Sequence, residues 1–233
     1  TPRWVEPVRR TIEAVPELAA VLAVCPGGRE AGEALVGLVD VVCFTGSVKT
    51  GRLVGANAAQ HFIPAFLELG GKDPVIITAD YDPERAADVV LRAAITASGQ
   101  ACQSLERVYV DRRLHDRFVA ALVAKARAAD INWPDIHRGV VGPFIWGGQA
   151  RVVEQQIADA VAKGAKVLAG GEIERHGGDW LRPTVLVDVT QDMQVITEET
   201  FGPVIPVVAF DTIEEAIRLA NEGVYGLSGA VLA

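Results

Sequence analysis

"DPVIITADYDPERAADVVLRAAITASGQACQSLERVYVD", residues 73–111, reads in turn as a strand, a helix, a loop and a second strand. The apolar run of "DPVIIT" is that of a buried strand. Asp82 and Pro83 then open a helix as an N-cap and a first-turn proline. Ala86, Val90, Ala93 and Ala97 follow helical spacing, and Gly99 is expected to end the helix. That leaves "QACQ", with Cys102, on a loop before the strand "RVYVD".

The same alternation runs along the chain and predicts an α/β architecture with parallel strands. Upstream, "AAVLAVC" (19–25), "VVCF" (41–44) and "AFLEL" (65–69) are expected to be strands, the first two buried. Helices are expected in "PGGREAGEALV" and from Val48 to about Gln60. Downstream, Leu114, Phe118 and Leu122 mark one helix, and a second runs from about Gln149 to Lys163, stopped by Gly164. Strands "AKVLAG" and "TVLVDV" follow. Thr212 and Glu215 form a capping box for a last helix that Gly223 ends. The stretch 130–148, dense in Pro, Gly and Trp, is expected to be an ordered loop. The chain opens on Thr1 rather than Met and stops in the apolar run "GLSGAVLA", which points to a piece of something longer.

Composition narrows the function. With 233 residues, half of them hydrophobic and 22% charged, the chain is expected to fold as one or two soluble domains. A net charge of −8 offers no basic face for nucleic acid. No apolar run is long enough for a bilayer. Cys25, Cys43 and Cys102 form neither a CxxC pair nor an even disulfide set, which suits a reducing, cytoplasmic setting. No His/Cys/Asp/Glu grouping has metal-ligand spacing.

Four short stretches could carry chemistry. In "FTGSVKTG", Gly46 and Ser47 at a helix start offer free N–H groups to a phosphate, or are an ordinary turn and N-cap. In "LELGGK", Glu68 between Leu67 and Leu69 would be a desolvated general base if it faces inward, and unremarkable if it faces out. Gly70 and Gly71 permit close approach of backbone or ligand. Cys102 follows a helix C-terminus, whose dipole does not favour a thiolate, and none of His61, His115, His137 and His176 lies near it in sequence. A buried structural thiol and a displayed nucleophile are both open. In "EETFGPV", Glu199 and Phe201 could be a solvated carboxylate and a core aromatic.

Taken together and in this order, "FTGSVKTG", "LELGGK", "GQAC" and "EETFGPV" resemble the signature set of the NAD(P)-dependent aldehyde dehydrogenase superfamily. The spacings agree with that resemblance: 34 positions from Glu68 to Cys102 and 97 from Cys102 to Glu199. "GLSGAV" and "LRPTVL" are weaker echoes. The resemblance implies that Cys102 is the nucleophile, forming a thiohemiacetal and, after hydride transfer to the nicotinamide, a thioester. It implies that Glu68 is the general base, and that the backbone N–H of Cys102 is one oxyanion donor. Gly46 and Ser47 would approach the nicotinamide and pyrophosphate of NAD or NADP, Glu199 would hold the nicotinamide ribose, Phe201 would lie beside it, and Gly70 would give the base room to move.

The resemblance also implies an incomplete aldehyde dehydrogenase-like fold. Residues 1–69 would be the later half of a Rossmann-like cofactor domain, and residues 70–233 most of the α/β catalytic domain. Nothing corresponds to the upstream segment with the second oxyanion donor or to the Lys-Pro-Ser segment for the adenosine ribose. The oligomerisation strand is also absent, and Val48 stands where threonine is common. Full-length relatives would be homo-oligomers acting on small aldehydes. Two other functions are open to the chain: an inert remnant, and a cofactor-independent esterase using Cys102 and Glu68.

Overall fold

The computed structural model describes residues 2–233. The chain forms two compact units, Thr1–Leu69 and Gly70–Ala233.

In the first unit, helices α1 (Val5–Glu13), α2 (Pro16–Ala19) and α3 (Arg29–Val36) precede strand β1 (Val42–Gly46), helix α4 (Val48–Gln60) and strand β2 (Ala65–Leu69). β1 and β2 pair in parallel, Thr45 opposite Glu68 and Gly46 opposite Leu69. α4 lies close on one face of this pair. A Cβ at Gly51 would stand 3.0 Å from Leu69 Cδ1, and one at Gly55 would stand 3.3 Å from Leu67 Cδ1. The expected strand at 19–25 does not form: Val21 is 82% exposed, and the segment runs from the end of α2 into irregular chain. Its apolar run pairs with neither β1 nor β2. β1 is likewise not a buried strand, alternating between partly buried and exposed residues.

The second unit is built on a six-stranded sheet in the order β10-β3-β4-β9-β8-β5. β3 (Asp73–Ile77), α5 (Pro83–Ile95) and β4 (Leu105–Asp111) come first, followed by α6 (His115–Ala128) and α7 (Gly147–Ala162). Strands β5 (Lys166–Ala169), β6 (Ile173–Arg175), β7 (Asp179–Leu181) and β8 (Thr184–Val187) lead to the short α8 (Gln194–Thr197). β9 (Val204–Phe210), α9 (Ile213–Asn221) and β10 (Ala230–Leu232) complete it. All pairings in the sheet are parallel except β5 with β8. β6 and β7 form a separate antiparallel hairpin that the sequence reading did not anticipate.

Both faces of the sheet are covered, as parallel strands require. Val75, Ile77, Val108 and Val110 pack on one face with Ala86, Val90, Phe118 and Leu122 of α5 and α6. Ile76 and Tyr109, one residue out of phase, pack on the other with Ala216 and Leu219 of α9. The caps form as the sequence implies. Asp82 Oδ1 accepts from Arg85 N at 2.8 Å, and Thr212 Oγ1 accepts from Glu215 N at 3.2 Å. Glu215 reaches back to Asp211 N at 2.8 Å. The stretch 130–148 is irregular up to α7, held where Trp180 Nε1 donates to Asn132 Oδ1 at 2.9 Å. Among the described residues no helix is long and apolar enough to cross a membrane.

One local expectation is corrected. α5 ends at Ile95, not Gly99, and Ala97 is not on its helical face. Residues 97–99 instead turn left-handed, with φ of 53°, 61° and 70°. This places the glycine where left-handed backbone carries no Cβ penalty. Ser98 is held there by accepting Gly142 N at 2.8 Å.

Candidate active site

The first unit gathers Gly46, Ser47 and Glu68 at the carboxyl ends of β1 and β2. Ser47 is the N-cap of α4, its Oγ accepting Thr50 N at 3.2 Å and donating to Thr50 Oγ1 at 3.1 Å. The remaining first-turn N–H groups of a 13-residue helix are left for an anion. Gly46 packs under the Phe44 ring. Glu68 is not desolvated. Leu67 and Leu69 turn toward α4, so the glutamate between them faces the opposite side of the pair and is exposed. Of the two orientations the sequence leaves open, β2 adopts the outward one within its own unit.

The second unit gathers Gly70, Cys102, Glu199 and Phe201 on the segments that lead into β3, β4 and β9. These strands are parallel neighbours, so the three segments share the amino-terminal edge of the sheet. Close backbone packing joins them. A Cβ on Gly99 would lie 2.5 Å from the carbonyl oxygen of Gly202, and one on Gly71 would lie 2.8 Å from the carbonyl oxygen of Cys102. A Cβ on Gly70 would lie 2.5 Å from the carboxylate carbon of Glu199. Gly71 N donates to Glu199 Oε1 at 3.2 Å. Cys102 is partly exposed, and its thiol has only a long contact to Gln103 Oε1 at 3.9 Å. That is the setting of a displayed thiol rather than a core one. Phe201 is held at a φ of 51° and stays partly exposed, so it is not a core aromatic.

Beneath these residues lies a buried polar network that the sequence reading missed. Lys72 and Glu106 are each only 3% exposed. Lys72 Nζ donates to Glu106 Oε2 at 2.7 Å and to Thr200 Oγ1 at 2.8 Å. Glu106 also accepts Thr200 N and Phe201 N, both at 2.8 Å. Thr200 Oγ1 donates to Gln156 Oε1 at 2.8 Å, and Gln156 Nε2 donates to Glu199 O at 3.1 Å. Arg107, the next residue, donates to the carbonyls of Lys72, Ala220 and Glu222 at 2.8, 2.9 and 3.1 Å, closing the end of α9. Asp73 holds Ser228 through both its amide and its hydroxyl. The available signal was a Glu-Arg pair inside an otherwise apolar strand, where charge is tolerated only when paired.

Burial pushes the Glu199 carboxyl above the usual range, and the charge of Glu106 adds to this. The Gly71 amide and Lys72 pull the other way. Burial lowers Lys72, with Glu106 opposing it. Burial also raises Asp73.

Each unit, taken by itself, holds groups whose chemistry fits one part of a dinucleotide. An ionised Glu199 can only accept, which matches the hydroxyls of a ribose. That carboxylate lies directly against Gly70, where any Cβ would collide with it. The α4 N-terminus suits a phosphate.

The aldehyde dehydrogenase family model matches residues 10–233. The chain belongs to the aldehyde dehydrogenase family. It is 41% identical to the lactaldehyde dehydrogenase of Escherichia coli over 207 residues, covering 88% of this chain and 43% of that enzyme. The structure of PutA from Anabaena variabilis matches all of this chain with a TM-score of 0.98 and 47% identity, over half of its own length. The betaine aldehyde dehydrogenase of Staphylococcus aureus, solved with NAD+, matches 90% of this chain at 34% identity and a TM-score of 0.85. The chain thus spans less than half the length of the curated aldehyde dehydrogenases it matches.

Proposed function

We propose that the chain carries the aldehyde-oxidising machinery of an NAD(P)-dependent aldehyde dehydrogenase, converting an aldehyde to a carboxylic acid. The observation that carries this reading is the packing of the Cys102 loop against the Glu199–Phe201 segment through Gly71 and Gly99, in a member of this family. In this reading Thr1–Leu69 is part of the cofactor domain and Gly70–Ala233 most of the catalytic domain.

Cys102 Sγ, as thiolate, bonds to the carbonyl carbon of the aldehyde and gives a thiohemiacetal. Its own backbone N–H donates to the oxygen on which negative charge develops. NAD or NADP, when bound, supplies the acceptor for the hydride that the substrate carbon gives up. Water then cleaves the Cys102 thioester, with Glu68 taking the proton of the water, to release the acid and restore the thiol. Glu199 accepts hydroxyls of the nicotinamide ribose, Phe201 lies beside it, and Gly46 and Ser47 receive the pyrophosphate. Gly70 leaves room for these groups to move.

The test is the aldehyde-dependent appearance of reduced nicotinamide in the wild-type chain and its loss in Cys102→Ala. Turnover that survives Cys102→Ala contradicts the reading. Ester hydrolysis without cofactor, abolished in Cys102→Ser and unaccompanied by nicotinamide reduction, would instead favour an esterase.

A further inference from the structure

We infer that Glu106 is a positioning residue, whose buried carboxylate fixes the backbone of the Glu199–Phe201 segment and thereby aims Glu199 at the cofactor. Glu199 as a cofactor-binding residue rests on the function proposed above; the anchoring of the segment does not.

The segment lies between α8 and β9 and has no ladder or helix of its own to satisfy its amides. Glu106 does this instead, one oxygen taking Thr200 N and the other Phe201 N, both at 2.8 Å. Two adjacent N–H groups on one carboxylate leave the peptide between them little freedom to rotate. Phe201 is held in a left-handed conformation that costs a residue with a Cβ about 1–2 kcal/mol, so some contact must impose it. Lys72 lies against the buried carboxylate as its counter-charge, Nζ to Oε2 at 2.7 Å, and also holds the Thr200 hydroxyl. Gln156 and Gln149 take hold of the carbonyls of Glu199 and Thr200 at 3.1 and 2.7 Å. The amides of Thr200 and Phe201 and the carbonyls of Glu199 and Thr200 thus have partners on the second unit's own framework, and the Glu199 carboxylate projects toward Gly70 and Gly71.

A merely structural salt bridge and a positioning carboxylate differ in what rescues them. Glu106→Gln strands the Lys72 cation. The double variant Lys72→Met/Glu106→Gln removes the cation as well and restores charge balance. In neither variant can the amide side chain accept both N–H groups, because its nitrogen is itself a donor.

The experiment measures amide exchange by NMR and the NAD+ dissociation constant by fluorescence titration on the wild-type chain and both variants. In the wild type, Thr200 and Phe201 are expected to exchange as slowly as strand amides. In both variants they are expected to exchange roughly 10- to 100-fold faster, with NAD+ bound about tenfold more weakly. Val108 and Val207, in paired strands, are expected to keep their protection in the double variant. Wild-type Thr200 and Phe201 exchanging at loop rates would overturn the inference. So would a double variant with wild-type exchange there, or faster exchange with an unchanged dissociation constant. If the wild type binds neither NAD+ nor NADP+, the cofactor reading fails, and the exchange data alone decide whether Glu106 anchors the segment.

Discussion

Gly99→Ala probes the contact that brings the Cys102 loop against the Glu199–Phe201 segment. Gly99 has a φ of +70°, and a Cβ there would stand 2.5 Å from the oxygen of Gly202 and 2.7 Å from the nitrogen of Pro203. Both neighbours are backbone, so no side chain can swing away. The left-handed conformation costs alanine about 1–2 kcal/mol. Forcing a methyl group into packed backbone costs about 1–3 kcal/mol more. Gly177 provides the control, because its φ is +79° and nothing lies within 4 Å of its would-be Cβ. Gly177→Ala therefore bears only the conformational cost. The difference between the two variants isolates the packing part, about 1–3 kcal/mol. Urea unfolding followed by tryptophan fluorescence measures it, since Trp133, Trp146 and Trp180 all lie in the second unit. With a slope of about 2 kcal/mol per molar, the Gly99→Ala midpoint is expected about 0.5–1.5 M below that of Gly177→Ala, with the slope unchanged. Equal midpoints would refute the contact and the reasoning that joins these two segments.

Gly70→Ala is expected to leave the urea midpoint nearly unchanged, because the Cβ meets the far end of a flexible side chain, while displacing the Glu199 carboxylate. NAD+ titration should show about tenfold weaker binding, as expected for one lost hydrogen bond to a charged group; unaltered binding would contradict the role given to Glu199. Glu199 also sets a pH dependence. Its pKa is raised in the folded state, so the folded protein holds this proton more tightly than the unfolded chain does. The stabilising contribution is therefore present at low pH and is lost as pH rises from the ordinary carboxyl value through the raised one. Across the same window cofactor affinity should move in the opposite direction, rising as Glu199 ionises. Glu199→Gln is expected to abolish the affinity slope and to lessen the stability slope, part of which belongs to the raised Asp73 carboxyl; an affinity slope that persists would place the titration elsewhere.

Much of the second unit was legible because its signals are local. Asp82 and Pro83, Thr212 and Glu215, and the run Val75–Ile77 each declare an element within a few residues. What failed to show depends on distant partners. The apolar run at 19–25 has the composition of a strand, but no neighbouring strand takes it up. Glu68 sits in an apolar context whose buried side is set by α4, not by its flanking leucines, so its exposure could not be read from "LEL". The turn at 97–99 uses an alanine and a serine in left-handed backbone, which neither residue type announces. The hairpin of β6 and β7 has only three residues a strand, "IER" against "DWL", too short to show an alternating pattern. Glu106 and Lys72 are 34 residues apart and explain each other only once β3 and β4 pair. The candidate site residues rest on the resemblance of four motifs; the clamp beneath Glu199 belongs to none of the roles that resemblance assigns.

The most direct measurement is peptide mass mapping of the chain after incubation with an aldehyde and NAD(P)+. Glu68→Gln removes the proposed deacylating base, so the covalent intermediate should accumulate in that variant. The expected result is an acyl group, the aldehyde less its hydride, on Cys102 alone, dependent on the cofactor. The exposed Cys25 and Cys43 serve as internal controls. Acylation spread evenly over the three cysteines, or an unmodified Cys102 while reduced nicotinamide forms, would contradict the account.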